Sequence, residues 1–359
     1  MADGIEIDFL PVGEGEHSGD AIAVRWRENE KYKVLIYDGG TADYGVAIVK
    51  HVKQYFRTEC VDYVVNSHPD NDHAGGLLYV LENLKVDQLW MHRPWKYSSR
   101  IRNYFHDGRM TDESLAERLK QKMAAAHRLE KAAAERGIPV YEPFAGSKIG
   151  VFTVLSPTKD RYVHELVPAF EKSPEPKKAA SVMESAFDAM EAEAGFIAEV
   201  WHKEHLPETV TTSAENESSA VLFAQISAKG YLLTGDAGIQ TLRASADYAK
   251  SIAIDLPRQV TFAQIPHHGG RDNVSTETLN MLLGEPLADQ HATPTRTAYV
   301  SAAKKAPRHP KRVVTNAFRR RGFKVGQTKG GRIRYYSGMP KREGWREISY
   351  VPFYNEVEE

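Results

Sequence analysis

The segment formed by residues 67–76, S-H-P-D-N-D-H-A-G-G, constrains this chain more than any other part of its sequence. It follows an apolar run at residues 61–66 that predicts a buried strand, and its two glycines precede an apolar stretch that predicts a helix. Four potential metal ligands fall within six positions: His68, Asp70, Asp72 and His73. Without a cation the two carboxylates would repel each other and resist burial. The segment therefore predicts a loop that binds a divalent metal ion.

The length and composition are those of an ordinary globular protein. A chain of 359 residues can hold two average domains or one large layered α/β domain. No apolar run approaches the roughly 20 residues of a membrane span, and residues 1–6 lack the pattern of a signal peptide. The single cysteine, Cys60, excludes an internal disulfide framework. We therefore expect a cytoplasmic protein without a membrane partner, and Cys60 is expected to be a small core residue.

The repeated alternation of strand and helix patterns predicts a layered α/β fold. Residues 5–10 alternate apolar and polar side chains, and residues 21–26 and 33–37 continue as strands, which predicts an antiparallel meander. Helices are expected over residues 47–56, over the alanine-rich stretch 112–136 and over residues 313–321. Strands separated by helices are typical of a layered arrangement.

The loop resembles the signature H-x-H-x-D-H of the metallo-β-lactamase superfamily, with Asp70 in the place of the second histidine. The following G-G is similar to the hydrolase domain of ComEC competence proteins. The resemblance covers residues 5–157 and 216–336. It implies an αββα sandwich, in which two central mixed sheets are flanked by helices. It also implies one domain over residues 1–346 with a helical insertion at about 158–215, followed by a C-terminal tail at 347–359.

Further ligands are implied by the resemblance at two later strand ends. Asp236, in G-D-A-G, corresponds to the carboxylate that bridges two metal ions, and P-H-H-G-G places His268 or His267 at the remaining ligand position. His268 is favoured, with His267 as an alternate ligand or a residue that supports it. Asp38, at the end of the third strand, is implied to steady the ligand loop; it could equally be a turn former between strand and glycines. His309, in an H-P loop, is implied to contact a phosphate or protonate a leaving group, although a turn-positioning role is equally open.

The insertion carries little information of its own. The sequence at residues 174–178 indicates a linker, and residues 179–205 predict an amphipathic helix that packs on the domain or covers the site.

Positive charge is concentrated near the C-terminus. Residues 304–346 hold fifteen Lys and Arg against one acid, Glu343, a net charge of +14, while the rest of the chain carries −15. Such asymmetry indicates a polyanionic partner. The cations expected to contact nucleic acid are Lys304, Lys305, Arg308, Lys311, Arg312, Arg319, Arg320, Arg321 and Lys324. A solvated or protein-facing run of charge is the alternative.

Two divalent metal ions are the expected cofactors, with His68 and Asp70 on one ion, Asp72, His73 and His268 on the other, and Asp236 between them. The carboxylate of Asp70 shifts the preference from Zn²⁺ toward Mn²⁺ or Mg²⁺. The sequence thus predicts a metal-dependent phosphodiesterase, most directly a nuclease acting on DNA, either alone or with a protein partner. A hydrolase of lactones, thioesters or nucleotide-derived esters is one alternative. A metal-stabilised nucleic-acid-binding module is the other.

Overall fold

A computed structural model of the chain describes residues 2–15, 17–104, 110–170, 195–307, 309–345 and 347–358. Within these residues the strands form two large mixed sheets and one small antiparallel pair. No helix in these ranges is long and apolar enough to cross a membrane.

The first sheet begins with the meander that the sequence predicts. Its strands, in spatial order, are β15 (Ile333–Ser337), β1 (Ala2–Phe9), β2 (Ala21–Glu28), β3 (Lys31–Gly39), β4 (Cys60–Val65), β5 (Lys85–Trp90) and β6 (Val140–Tyr141). Strands β1, β2 and β3 pair antiparallel, whereas β3 to β6 pair parallel through helical crossovers. Parallel neighbours place their carboxyl ends at one edge of the sheet, where the ligand loop after β4 lies.

The second sheet is also mixed. Its strands, in spatial order, are β14 (Phe323–Gln327), β13 (Arg296–Val300), β12 (Val260–Gln264), β11 (Lys229–Leu233), β10 (Val221–Ile226), β8 (Phe152–Ser156) and β7 (Lys148–Ile149). Strands β11 to β14 pair parallel. The third pair joins β9 (Phe196–Ala198) to β16 (Glu356–Glu358).

The helices cover the outer faces of both sheets. In the described residues they are α1 (Gly45–His51), α2 (Asn71–Ala74), α3 (Leu77–Asn83), α4 (Ser98–Ile101), α5 (Asp112–Lys122), α6 (Ala124–Glu135), α7 (Lys159–Arg161), α8 (Val167–Ala169), α9 (Ala214–Glu217), α10 (Ile239–Ser251), α11 (Leu256–Gln259), α12 (Thr276–Leu283) and α13 (Arg312–Arg320). Short π-helical turns follow α1 at Val52–Phe56 and α7 at Tyr162–Leu166.

Three hydrophobic layers hold these elements together. Between the sheets, alternate residues of β1 such as Ile7 and Phe9 face β12 and β13, and the Phe9 ring packs edge-on against Phe262 and Tyr299. The other two layers lie between each sheet and its helices. The predicted αββα sandwich is therefore confirmed.

Several local predictions need correction. The predicted helix over 112–136 is two helices, because Met123 leaves helical backbone angles, and this break lets Leu119 and Leu129 enter the same core. The expectation that Cys60 is a core residue is wrong, because it begins β4 with an exposed side chain.

The predicted helix over 179–205 is wrong where it can be compared. Residues 171–194, including the predicted linker, lie outside the described residues, and residues 196–198 form strand β9. Residues 347–358 extend the packing against the second sheet: Val351 N donates to Val325 O (2.9 Å) and β16 pairs with β9.

Candidate metal centre

The carboxyl ends of four strands meet between the two sheets. Asp38 ends β3 and His68 follows β4 on the first sheet, while Asp236 follows β11 and His268 follows β12 on the second. The fold thus brings together residues that lie up to 230 positions apart in the sequence.

Asp236 is the centre of this cluster. Its carboxylate is almost fully buried, and its Oδ2 lies 2.7 Å from His267 Nδ1, 3.2 Å from His73 Nε2 and 3.9 Å from both His68 Nε2 and His268 Nε2. One carboxylate oxygen within 4 Å of four imidazoles is the placement expected of a group that contacts two ions.

The remaining carboxylates of the ligand loop lie at the more open side of the cluster. Asp72 Oδ2 is 3.8 Å from His73 Nε2 and 3.7 Å from His268 Nε2. Asp70 Oδ2 is 3.5 Å from His68 Nε2, and its side chain is 44% exposed. The structure therefore brings all the predicted ligands together, and their coordination of metal stays a prediction.

Asp38 holds the ligand loop through three hydrogen bonds. Its carboxylate accepts from Ser67 N (2.7 Å), from Ser67 Oγ (2.6 Å) and from His73 Nδ1 (2.9 Å). Because Ser67 uses its only hydroxyl proton toward Asp38, its oxygen is left to accept from His68 Nδ1 (2.9 Å). These bonds hold Nδ1 of both imidazoles away from the centre, so that Nε2 is the ring nitrogen that faces Asp236.

The atoms that face the centre fit divalent cations. Within the described ranges, several of its buried polar atoms have no hydrogen-bond partner: His68 Nε2, His73 Nε2, both ring nitrogens of His268, Asp236 Oδ1 and Asp20 Oδ1. A buried polar atom without a partner is costly, and here such atoms converge on one point. Imidazole nitrogens with carboxylate oxygens form a donor set that suits Zn²⁺ or Mn²⁺.

The electrostatics of the cluster also favour a cation. Burial raises the pKa of Asp236, but His73, His267 and His268 lower it further, so that it lies well below its ordinary value. Burial likewise raises the pKa of Asp72, and His73 and His268 bring it down to about 2. In turn Asp236 and Asp72 raise the pKa of His73 and of His268 against the opposing effect of burial. Protons on these imidazoles occupy the position that metal ions would take.

The glycines of the ligand loop permit its close approach to β3. A Cβ on Gly76 would lie 2.1 Å from Gly39 O, so any side chain there would push the loop away from Asp38. On the opposite sheet, His267 and His268 both adopt left-handed backbone angles, with φ of 46° and 55°. Such angles cost of the order of 1–3 kcal/mol each and are concentrated at functional sites.

His309 lies next to this cluster. Burial lowers its pKa to about 3, and His267, His268, Lys311 and Lys329 lower it in the same direction. His309 is therefore neutral near pH 7, where it can donate one N–H bond but carries no positive charge.

Only part of the basic segment lies at the protein surface. The prediction that Arg320 and Arg321 contact nucleic acid is wrong. The Arg320 guanidinium is buried against Glu199 and donates to the carbonyl oxygens of Trp201, Val200 and Lys203. The Arg321 guanidinium is buried against Glu204, with a shortest N–O distance of 2.6 Å. Both guanidinium groups therefore bind residues 199–204 to α13 and are not exposed to a partner.

Other cations that were expected to contact nucleic acid are buried or contact protein groups instead. Lys311 is only 3% exposed, so its predicted place on an open binding face is wrong. Arg312 lies over the rings of Phe196 and Tyr354, and Arg319 donates to Val351 O (2.9 Å). Arg308 lies outside the described residues. Lys304, Lys305 and Lys324 are exposed.

Sequence reasoning missed several residues of the site. Ser67 fixes His68, and Gln264 accepts from Thr234 N (2.9 Å) and Gly235 N (3.1 Å), which fixes the turn before Asp236. Asn216 Nδ2 lies 3.5 Å from His267 Nδ1, and Asp20 is buried beside His73 and Asp236. In the sequence Asp20 stands in the segment V-G-x-G-x-x-x-x-D-A-I directly before β2, a position that is equally typical of a turn.

Comparison with known proteins gives a family match over one part of the chain. Residues 16–143 match the family model of the metallo-beta-lactamase superfamily. The match includes the whole ligand loop, and the two mixed sheets between helical layers have the arrangement of that fold. Residues 16–143 are thus similar to the metallo-beta-lactamase superfamily, and the arrangement of sheets and helices is consistent with its fold. No curated protein sequence matched the chain.

Solved structures of low sequence identity align with the chain. The metallo-beta-lactamase fold protein YhfI from Bacillus subtilis is 10% identical, with 93% of this chain and 100% of that chain covered and a TM-score of 0.39. The metallo-beta-lactamase SMB-1 is 9% identical, with 77% and 86% covered and a TM-score of 0.32. The hydrolase AbOPH of the beta lactamase superfamily is 10% identical, with 68% and 72% covered and a TM-score of 0.32.

Proposed function

We propose that this protein is a metal-dependent hydrolase and, more specifically, a phosphodiesterase that cleaves nucleic acid, with DNA as the first substrate to test. The observation that carries the proposal is the convergence of Asp236 Oδ2 with four imidazoles and the carboxylates of the ligand loop. The residues that would hold two divalent ions are His68, Asp70, Asp72, His73, Asp236 and His268, with His267 as the alternate.

Bound divalent ions lower the pKa of coordinated water toward neutrality and offset charge on a phosphate. The chain's own residues prepare for that chemistry. Asp38 and Ser67 hold two imidazoles in the required tautomer, so no reorganisation is needed when ligand binds. The neutral His309 imidazole can donate its N–H to a phosphate oxygen but does not supply a proton as an imidazolium.

A phosphodiester substrate is favoured by the oxygen-rich donor set. Three carboxylates, Asp70, Asp72 and Asp236, give the centre a harder character than a set of histidines alone, which favours Mn²⁺ or Mg²⁺. The exposed Lys304 and Lys305 lie on a loop that packs against Gly13 and Gly15, because Lys304 N donates to Gly13 O (2.9 Å) and Lys305 N to Gly15 O (3.1 Å). That loop leads to His309, so these lysines are the cations proposed to attract a polyanion.

The direct test is cleavage of plasmid and single-stranded DNA by the purified protein with Mn²⁺, Mg²⁺ or Zn²⁺. Asp72→Ala is expected to lose activity by more than about 100-fold, since even outer partners of metal ligands cost roughly 10–100-fold. Asp160→Ala, which removes a carboxylate that is 91% exposed, is the matched control and should cleave normally. Absence of metal-dependent cleavage, or equal cleavage by Asp72→Ala, would overturn the proposal. If the wild type binds DNA without cleaving it, and this binding survives Asp72→Ala and Asp236→Ala, a binding module would be indicated instead.

A second candidate is a hydrolase of small esters such as lactones, thioesters or nucleotide-derived esters. The burial of Arg320, Arg321 and Lys311 favours it, because the open basic face is smaller than the sequence suggests. The double variant Lys304→Glu with Lys305→Glu separates the candidates. It should weaken DNA binding and reduce its salt slope by about 2 if DNA is the substrate, and leave small-ester turnover unchanged. Unchanged DNA cleavage with efficient turnover of a small ester would favour the second candidate.

The proposal also includes the location of the protein in the cell. We place the protein in the cytoplasm, where a free thiol such as Cys60 is kept reduced. The resemblance to the ComEC hydrolase domain suggests processing of DNA, alone or with a protein partner.

A further inference from the structure

We propose that Asp20 supplies a further oxygen ligand to the metal centre. The proposed function assigns Asp20 no role, and the inference rests on the metal centre of that proposal.

The backbone brings Asp20 into the centre at close range. Asp20 N lies 3.3 Å from Asp72 O as a hydrogen-bond donor, and Gly40 N donates to Asp20 O (2.6 Å). A Cβ on Gly19 would lie 2.6 Å from Asp72 O, so a larger residue there would displace this segment. The start of β2 is therefore packed directly on the ligand loop.

Only one of the two carboxylate oxygens of Asp20 is used within the protein. Gln264 Nε2 donates to Asp20 Oδ2 (2.9 Å), and the side chain of Asp20 is buried, with the residue 1% exposed. Oδ1 has no hydrogen-bond donor among the described residues. The Ser301 hydroxyl lies nearby, but it does not reach hydrogen-bonding geometry with this oxygen. A buried carboxylate oxygen without a donor is costly, and a bound cation would remove that cost.

Asp20 belongs to the same cluster as the predicted ligands. One ligand atom each from Asp20, His73 and Asp236 lie within 4.8 Å of one another. Asp20 and Asp236 are also linked through Gln264, whose amide oxygen accepts from Thr234 N and Gly235 N. The geometry thus places a fourth carboxylate at the centre.

A fourth carboxylate would change which metal ion the centre prefers. Oxygen donors favour Mn²⁺ and Mg²⁺ over Zn²⁺, so Asp20 should contribute more to the affinity for Mn²⁺ than to the affinity for Zn²⁺. If Asp20 only positioned Gln264, its negative charge would contribute little to either affinity.

The test is a titration of the metal-free protein with Mn²⁺, followed by electron paramagnetic resonance, and a parallel titration with Zn²⁺. Asp20→Asn keeps an acceptor for Gln264 but removes the charge, and Asp20→Ser is a smaller second variant. Both should weaken Mn²⁺ binding by about tenfold or more and weaken Zn²⁺ binding less. Asp8→Asn is the matched control, because Asp8 is equally buried and bonds to His51 and Arg342 outside the centre. Its Mn²⁺ affinity should equal that of the wild type.

The outcomes separate this inference from the proposed function. If the wild type binds Mn²⁺ and both Asp20 variants bind it equally well, the inference is wrong and the proposed metal centre stands. If the wild type binds no divalent ion, the proposed function fails first. Thermal unfolding in excess chelator identifies a variant that has lost its fold, and the other variant then decides the outcome.

Discussion

Ser67 shows how one hydroxyl can orient a proposed metal ligand. Its oxygen donates to Asp38 Oδ2 (2.6 Å) and accepts from His68 Nδ1 (2.9 Å), so the tautomer of His68 depends on a residue that is not itself a proposed ligand. A partner of this kind restricts the imidazole to the orientation that metal binding requires.

Ser67→Ala is therefore expected to weaken divalent-metal binding by roughly 10–100-fold while leaving the fold intact. Ser67→Thr keeps the hydroxyl and is the matched control, with an affinity nearer to that of the wild type. Isothermal titration of the metal-free proteins with Mn²⁺ measures the difference. Equal affinities for the wild type and the alanine variant would show that the Ser67 hydrogen bonds do not position His68.

His92 is a buried titratable residue away from the metal centre. Its ring stacks on Tyr162 at 4.3 Å between centroids, and neither ring nitrogen has a hydrogen-bond partner within the described ranges. Burial lowers its pKa from 6.5 to about 3. Between these two values the unfolded chain binds a proton that the folded protein excludes, so His92 reduces the free energy of unfolding as the pH falls below 6.5.

Replacement of His92 by Phe should remove this acid sensitivity. The free energy of unfolding of the wild type should fall, relative to His92→Phe, by about 1.4 kcal/mol for each pH unit below 6.5. Urea denaturation at pH 7.5, 6.0 and 5.0 measures the change. A constant difference between the two proteins over this range would contradict the account.

At the scale of elements, the beginning of α10 is organised by a carboxylate from another segment. Glu217 accepts from Thr241 N (2.7 Å) and Gln240 N (3.3 Å) in the first turn of α10, and Arg161 contacts the same carboxylate at 3.4 Å. A negative charge satisfies the free N–H groups of a helix start and its dipole. This bond ties the segment before β10 to the helix that follows Asp236.

Glu217→Ala should lower the free energy of unfolding by about 2 kcal/mol, which combines the loss of a helix cap with the loss of the anionic partner that Arg161 has beside Thr241 Oγ1. Glu277→Ala removes one partner of an exposed ion pair with Arg243 and should change it by less than about 0.5 kcal/mol. Chemical denaturation of both variants provides the comparison. Similar small effects for the two would show that Glu217 is not a helix cap of consequence.

At the scale of the molecule, α13 holds residues 199–203 against the second sheet. Arg320 makes an ion pair with Glu199 and bonds to three backbone carbonyl groups of residues 200–203. Breaking a buried ion pair by removing one partner typically costs about 3–5 kcal/mol.

Arg320→Met is expected to lower the free energy of unfolding by about 3–5 kcal/mol. Lys324→Met is the control, because Lys324 is exposed and its replacement should change the free energy of unfolding little. In DNA-binding assays on whichever variants remain folded, Arg320→Met should bind DNA as the wild type does. Loss of DNA affinity without loss of stability would contradict the structural role of Arg320.

The sequence predicted those parts of the fold that depend on local patterns. The alternation in β1, the apolar strand β4 and the dense ligand loop after it determined the meander, the layers and the place of the site. The role of Arg320 could not be predicted, because Glu199 lies 121 residues away and an ion pair leaves no local pattern. The same holds for Asp20, whose partner Gln264 lies 244 residues away. The basic segment was overestimated as a surface because charge composition carries no information on burial.

The central claim is that residues from both sheets converge to bind a pair of divalent ions. Crystals grown with Mn²⁺ and measured at the manganese absorption edge test it most directly. The account predicts two anomalous peaks beside the carboxylate of Asp236, one near His68 and one near His268. Crystals of the same protein without any peak within reach of Asp236 would contradict it.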